Sequence, residues 1–303
     1  MKNDYVLCPG TRGFHKMHYT DWGDPLSPRT VMCVHGLTRN CRDFDFLAHK
    51  LASDCRVVCP DIVGRGRSDW LPNKKDYGIP QYLSDITTLL THITLWPSAR
   101  NWLARLGNFL RHRYGTRSLY WVGTSMGGII GMLLAAQPKS PICKLVVNDV
   151  GPLIPQAFLE RIGSYMRTDP HFQTFDDLQN HVRKISTQFG PLTEAQWHHL
   201  TLYNAKQYED GSWGMGYDPG IGLPFRQELM QDIDLWNAWD AIICQTLVLR
   251  GAESDLLLPD IADEMCKRGP RARIIEFSGI GHAPMLLTED QIAVVRDFLL
   301  MPE

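Results

Sequence analysis

No run of apolar residues in this 303-residue chain approaches the ~20 that a helix needs to cross a bilayer. A membrane-spanning protein is therefore not expected. The opening stretch, Met1 to Gly10, lacks the long apolar core of a secretory signal, so a cytoplasmic protein is expected. An excess of one charge is also missing. A formal net charge of −2 and a pI near 6.6 offer no electrostatic footprint for nucleic acid or anionic membrane, and both are set aside as partners. The eight cysteines are scattered. Their one close pair, Cys55 and Cys59, flanks Arg56-Val57-Val58 with no second pair or histidine cluster to complete a zinc site, so no metal is expected. Buried reduced thiols are the expected account. Internal repeats and low-complexity segments are absent as well. The hydrophobic fraction of 44% and charged fraction of 21% are those of an ordinary globular chain, long enough for one large domain or for a core carrying an insertion.

Short β-branched runs alternate with helical spacing. Val31 to Val34 and Arg56 to Pro60 read as strands, and between them Phe44, Leu47, Ala48 and Leu51 fall on one helical face. Strand, helix and strand at this separation form a βαβ unit, which implies a mostly parallel sheet flanked by helices. Leu83 to Ile93 predicts a helix, and Trp96 to Leu106 an additional amphipathic element containing two tryptophans. Further strands are expected at Lys144–Asn148, Thr246–Arg250 and Arg273–Phe277, with a closing helix from Glu289 to Leu300. The gap between Asn148 and Thr246 is too long for one crossover helix and is rich in aromatic residues. We therefore expect an α/β core of residues 1–151 and 241–303, with 152–240 inserted as a mostly helical cap over the carboxyl ends of the strands, where open α/β sheets bind ligands.

The most informative stretch is Gly123-Thr124-Ser125-Met126-Gly127. A Gly-x-Ser-x-Gly pentad suits a strained strand-to-helix turn that holds a serine hydroxyl out at its tip. Leu119 to Val122 reads as the strand entering that turn, and Gly128 to Ala136 as the helix leaving it. A serine nucleophile needs a base, and the base needs an orienting acid. His282 follows the last strand in a Gly-flanked loop, and Asp255 follows the strand before it. The order Ser125, Asp255, His282 matches the serine, acid, histidine order of α/β-hydrolases.

On these motifs the whole chain resembles the α/β-hydrolase fold superfamily, in its capped, serine-nucleophile, esterase-like branch. The turn Gly64-Arg65-Gly66-Arg67-Ser68 matches a structural turn of that family, so Ser68 is read as structural. The resemblance implies two oxyanion donors, the backbone N–H groups of Leu37 (after His35-Gly36) and Met126. Met126 also begins a helix, whose free N–H groups and dipole favour an anion. His35 is expected to brace the oxyanion loop. Asp149 is the rival acid, since some relatives take theirs from that loop.

The expected function is hydrolysis of a small or medium carboxylic ester through an acyl-enzyme, with no cofactor and a small-molecule substrate as partner. Trp213 and Tyr217 are candidate pocket walls. A carbon–carbon bond hydrolase or a lactonase with the same triad is an alternative, although Leu37-Thr38-Arg39-Asn40 departs from the Gly-Pro-Gly type continuation of carbon–carbon hydrolases. A hydrolase-fold sensor with little turnover is the alternative of another class. Homo-oligomerisation is left open.

Overall fold

A computed structural model of the chain describes residues 1–95, 118–166, 169–226 and 231–302; the expected 96–106 element lies outside them. The chain opens with an antiparallel hairpin, β1 (Lys2–Gly10) and β2 (Gly13–Trp22), with Lys2 opposite Asp21. It continues through β3 (Arg29–Val34), α1 (Asp45–Leu51), β4 (Arg56–Pro60), α2 (Ile79–Leu95), β5 (Ser118–Thr124), α3 (Met126–Ala135) and β6 (Ile142–Asn148). An inserted stretch follows: β7 (Leu153–Ile154), α4 (Gln156–Tyr165), α5 (Phe175–Ile185), α6 (Glu194–Tyr203), β8 (Ala205–Gln207), β9 (Trp213–Met215), β10 (Ile233–Asp234) and α7 (Trp236–Asp240). The chain then returns through β11 (Gln245–Gly251), α8 (Pro259–Met265), β12 (Arg273–Phe277) and α9 (Glu289–Leu300).

Among the described residues the main sheet has eight strands, in the order β1-β2-β4-β3-β5-β6-β11-β12. From β4 to β12 every pairing is parallel, and β2 runs against the rest, antiparallel to both β1 and β4. Parallel strands need both faces covered. Alternating residues accordingly feed two cores. Val31, Cys33, Val57, Tyr120 and Val122 pack with α1 and α9 through Phe44, Leu47, Leu51, Ile292 and Val295. Met32, Val34, Trp121 and Val147 face the opposite way, toward Ile86, Leu89, Ile130 and Met265 of α2, α3 and α8. The strands expected from sequence in this core are present, with β3, β5, β6 and β11 somewhat longer than expected.

Buried charges act as clamps. Arg56 is 2% exposed and holds Asp21 of β2 through two hydrogen bonds of 3.0 and 2.8 Å while donating to the Ile93 carbonyl of α2. Lys144 of β6 donates to the carbonyls of Phe298 and Leu299, where a cation meets the negative end of α9. The inserted stretch is not purely helical, because β7 pairs with β10 and β8 with β9. The eight cysteines are all free, five of them buried. Among the described residues, no helix is long and apolar enough to cross a membrane.

Candidate active site

The β5–α3 junction turns so tightly that Ser125 adopts φ 52° and ψ −116°, a left-handed conformation that side chains rarely take. Glycine permits the turn on both sides. A Cβ at Gly123 would overlap the Gly127 carbonyl, and one at Gly127 would overlap the Val34 carbonyl at the end of β3. The Ser125 N–H donates to the Asn148 carbonyl at 2.9 Å, and Gly128 and Ile129 donate back to the Ser125 carbonyl. The strain is thus held in place from both neighbouring strands.

His282 Nε2 lies 3.0 Å from Ser125 Oγ, and His282 Nδ1 lies 2.8 Å from Asp149 Oδ2. Asp149 is fully buried immediately after β6, itself at φ 55°. It accepts two further hydrogen bonds. Gly251 N–H donates to Oδ1 at 2.8 Å, and the Ser254 hydroxyl donates to Oδ2 at 2.7 Å. With a carboxylate accepting at Nδ1, the imidazole carries its proton there and turns the Nε2 lone pair toward the serine hydroxyl. Asn148 steadies the assembly by donating to Thr124 Oγ1 and to the Pro284 carbonyl in the histidine loop. Gln188 of the insertion accepts from the backbone N–H of Gly281 and of His282.

The structure therefore corrects the expected acid. Asp255 does not reach His282; its side chain is 40% exposed and pairs with Arg161 at 2.9 Å. The reason is sheet order and loop phase. β6 lies directly beside β5, so the residue after β6 sits next to Ser125, whereas β11 is one strand further out. When the chain leaves β11, Ser254 turns inward to Asp149 and Asp255 turns outward. The expected wall residues are also corrected. Trp213 packs inside the insertion against Phe175 at 5.4 Å, and Tyr217 bridges to the Arg65 backbone; neither lines a cavity at Ser125. Met215, on the same strand as Trp213, does line one.

The N–H groups of Leu37 and Met126 donate to no acceptor among the described residues, and both residues line a cavity with Ser125. A residue missed by sequence reasoning fixes that loop. Arg65 is wholly buried and donates to the Leu37 carbonyl at 2.8 Å, the Val63 carbonyl at 2.7 Å and the Tyr82 hydroxyl at 2.9 Å. His35 works from beneath, with Nδ1 donating to the Gly36 carbonyl and Nε2 accepting from Ile62 N–H. Burial pushes the His35 pKa down to about 4 against the pull of Asp61, so the ring is neutral, as its acceptor role requires. Ser68 bonds the Asp61 carbonyl and the His18 N–H, both in the interior.

Two cavities meet at Ser125. One, of about 410 Å³, is apolar and lined by Tyr82, Ile129, Val150, Leu159, Ile221 and their neighbours. The other, of about 120 Å³, contains His282 and carries Thr38, Arg39, Arg161, Ser186, Gln188 and Asn204. Phe158 and Ile162 of α4 border both, and the Phe158 ring stands edge-on to His282 at 5.3 Å. Away from these cavities, two buried groups combine metal-binding residue types: Cys8, His15 and Asp85, and His18, Cys41 and Asp61. In each the histidine already bonds the carboxylate, at 3.0 and 2.7 Å. Burial works to raise the Asp61 pKa, but its bond to His18 and the N–H of Arg67 outweigh it, and the net direction is downward. Both groups have the geometry of satisfied internal pairs.

Known proteins agree with this architecture. The chain is 42% identical to a 3-hydroxybutyrate-oligomer hydrolase of Cupriavidus necator over 97% of its own length and 96% of the relative's. It is 24% identical to a serine hydrolase-like protein of Danio rerio over 92% of this chain and 83% of that one. The crystal structure of an alpha/beta hydrolase from Novosphingobium aromaticivorans superposes with a TM-score of 0.80 at 32% identity, covering 98% of this chain and 97% of that one. The profile of the Alpha/beta hydrolase family matches residues 31–297, and the chain belongs to that family.

Proposed function

We propose that this protein is a serine hydrolase that cleaves a carboxylic ester through an acyl-enzyme. The observation that carries the reading is the hydrogen-bonded chain Ser125–His282–Asp149 at the junction of two cavities. Ser125 Oγ attacks the ester carbonyl as His282 Nε2 takes its proton. Asp149 keeps the imidazole in the required tautomer and stabilises its cation. The N–H groups of Leu37 and Met126 receive the tetrahedral oxyanion, each such donor being worth about 3–4 kcal/mol in comparable sites. His282 then protonates the leaving alkoxide and activates a water that releases the acid. Residues 152–240 serve as a cap, since α4, α5 and β9 contribute Phe158, Ile162, Val182 and Met215 to the cavity walls.

The relative from Cupriavidus necator suggests the substrate class: short linear esters of 3-hydroxybutyrate. A panel of 3-hydroxybutyrate dimer and trimer, p-nitrophenyl esters of graded length, a lactone and a vinylogous diketone tests this. We expect turnover of the linear esters, with loss of activity in Ser125→Ala. Turnover of the diketone alone would move the protein to the carbon–carbon hydrolases.

A further inference from the structure

We propose that Arg161 forms a carboxylate-binding subsite beside Ser125, so that the preferred ester has a leaving alcohol bearing a carboxylate a few bonds from the ester oxygen. This rests on the ester-hydrolase reading and specifies which esters the site favours. Two arginines, Arg39 and Arg161, line the cavity that contains His282, and among the described residues no aspartate or glutamate lines either cavity at Ser125. Their counter-charges stand behind them. Asp43 holds Arg39 through Nε at 2.8 Å and Nη2 at 2.6 Å, and Asp255 holds Arg161 through Nη2 at 2.9 Å. Neither carboxylate belongs to the cavity wall, so the cavity sees the cationic side of each pair.

The two arginines differ in what they can still give. Arg39 is 9% exposed and its fork is committed to Asp43. The Arg161 side chain is 43% exposed, and only its Nη2 is engaged by Asp255; among the described residues, Nε and Nη1 have no hydrogen-bond acceptor. Its guanidinium carbon stands 5.0 Å from the Phe158 ring centroid, and that ring lies 5.3 Å from the His282 ring. The cation and the imidazole that protonates the leaving oxygen therefore contact the same aromatic ring, within reach of a short alcohol that bears a carboxylate. Each of these free, charged N–H groups suits a carboxylate oxygen. Thr38, Ser186, Gln188 and Asn204 offer neutral hydrogen bonds along the same wall. Asp255 then acts as a positioning residue that holds the guanidinium at the mouth.

The test compares kcat/KM for two substrates, the linear 3-hydroxybutyrate dimer and its methyl ester, in wild type, Arg161→Gln, Arg161→Lys and Arg39→Gln. Wild type should prefer the free acid. Arg161→Gln should lower kcat/KM for the acid by roughly 10- to 100-fold, mainly through KM, and leave the methyl ester within about twofold. Arg161→Lys should recover part of the preference, and raised salt should weaken it. Equal effects of Arg161→Gln on both substrates, or loss of the preference only in Arg39→Gln, would overturn the assignment to Arg161 while leaving the ester hydrolase intact. Absence of turnover with both substrates in wild type, alongside turnover of p-nitrophenyl butyrate, would overturn the subsite and leave the ester hydrolase standing; absence with all three would overturn the ester-hydrolase reading as well.

Discussion

Asp149 accepts from three donors in a site with no solvent exposure, whereas Asp255 holds a half-exposed arginine. The consequences of removing each differ accordingly. Asp149→Asn should lower kcat by about 10³- to 10⁴-fold on any ester, because an amide leaves His282 without its acceptor and favours the wrong tautomer. Asp255→Asn should cost less than about tenfold on a neutral ester, an exposed ion pair being worth ~0–1 kcal/mol. Steady-state kinetics on p-nitrophenyl butyrate distinguish them, and a reversed order would return the acid role to Asp255. Ser125 and His282 were legible in the sequence because glycines frame them and strands precede them. The acid was not, since two aspartates each follow a strand, and only the lateral order of β6 and β11 and a one-residue phase in the loop separate them. Arg65 was hidden for another reason: its partners are backbone carbonyls, which leave no mark on residue type.

His35 adds a pH dependence of stability at this same scale. Its folded pKa near 4 lies below its ordinary value of 6.5, so the unfolded chain binds the extra proton first as pH falls. The stabilisation is complete above about 6.5 and is lost between there and 4, by up to about 3 kcal/mol for a shift of this size. Asp61, with its pKa lowered, contributes its own loss only at pH below the ordinary aspartate range. Denaturant unfolding at pH 7.5 and 5.0 should show the wild type losing more stability than His35→Asn; equal losses would mean that His35 is not held neutral.

Among the elements, the β5–α3 turn is the one whose geometry the site cannot do without. Gly127 lies inside a helix, where alanine has the higher intrinsic propensity, so any cost of Gly127→Ala comes from packing against the Val34 carbonyl. We expect that variant to melt several degrees lower and to lose activity together, as read by thermal denaturation and ester turnover. An active variant of unchanged Tm would show that the helix start is not pressed against β3. The parallel strands were legible because residues buried on both faces read as continuous apolar runs. The β1–β2 hairpin was not, because β1 buries little beyond Val6 and Cys8 and its alternation is faint. The two-residue and three-residue pairs in the insertion are too short to carry any period.

At the scale of the whole molecule, sheet order and insertion together give Ser125 two unlike neighbours, an apolar cavity of about 410 Å³ and a smaller polar one. The location of the site was legible in the sequence, since strand ends carrying Ser125 and His282 must share one edge of a parallel sheet. The division of the site was not, because it depends on where α4 sets Phe158 and Ile162, and composition alone carries no such shape. An ester whose acyl part enters one cavity and whose alcohol enters the other has its carbonyl at the serine. The measurement that tests this account most directly is mass spectrometry of the folded protein after reaction with a fluorophosphonate, followed by peptide mapping. One adduct, on Ser125, is expected in wild type, and none in Ser125→Ala or in unfolded protein. Ester turnover with no adduct on Ser125, or with the adduct on another residue, would contradict it.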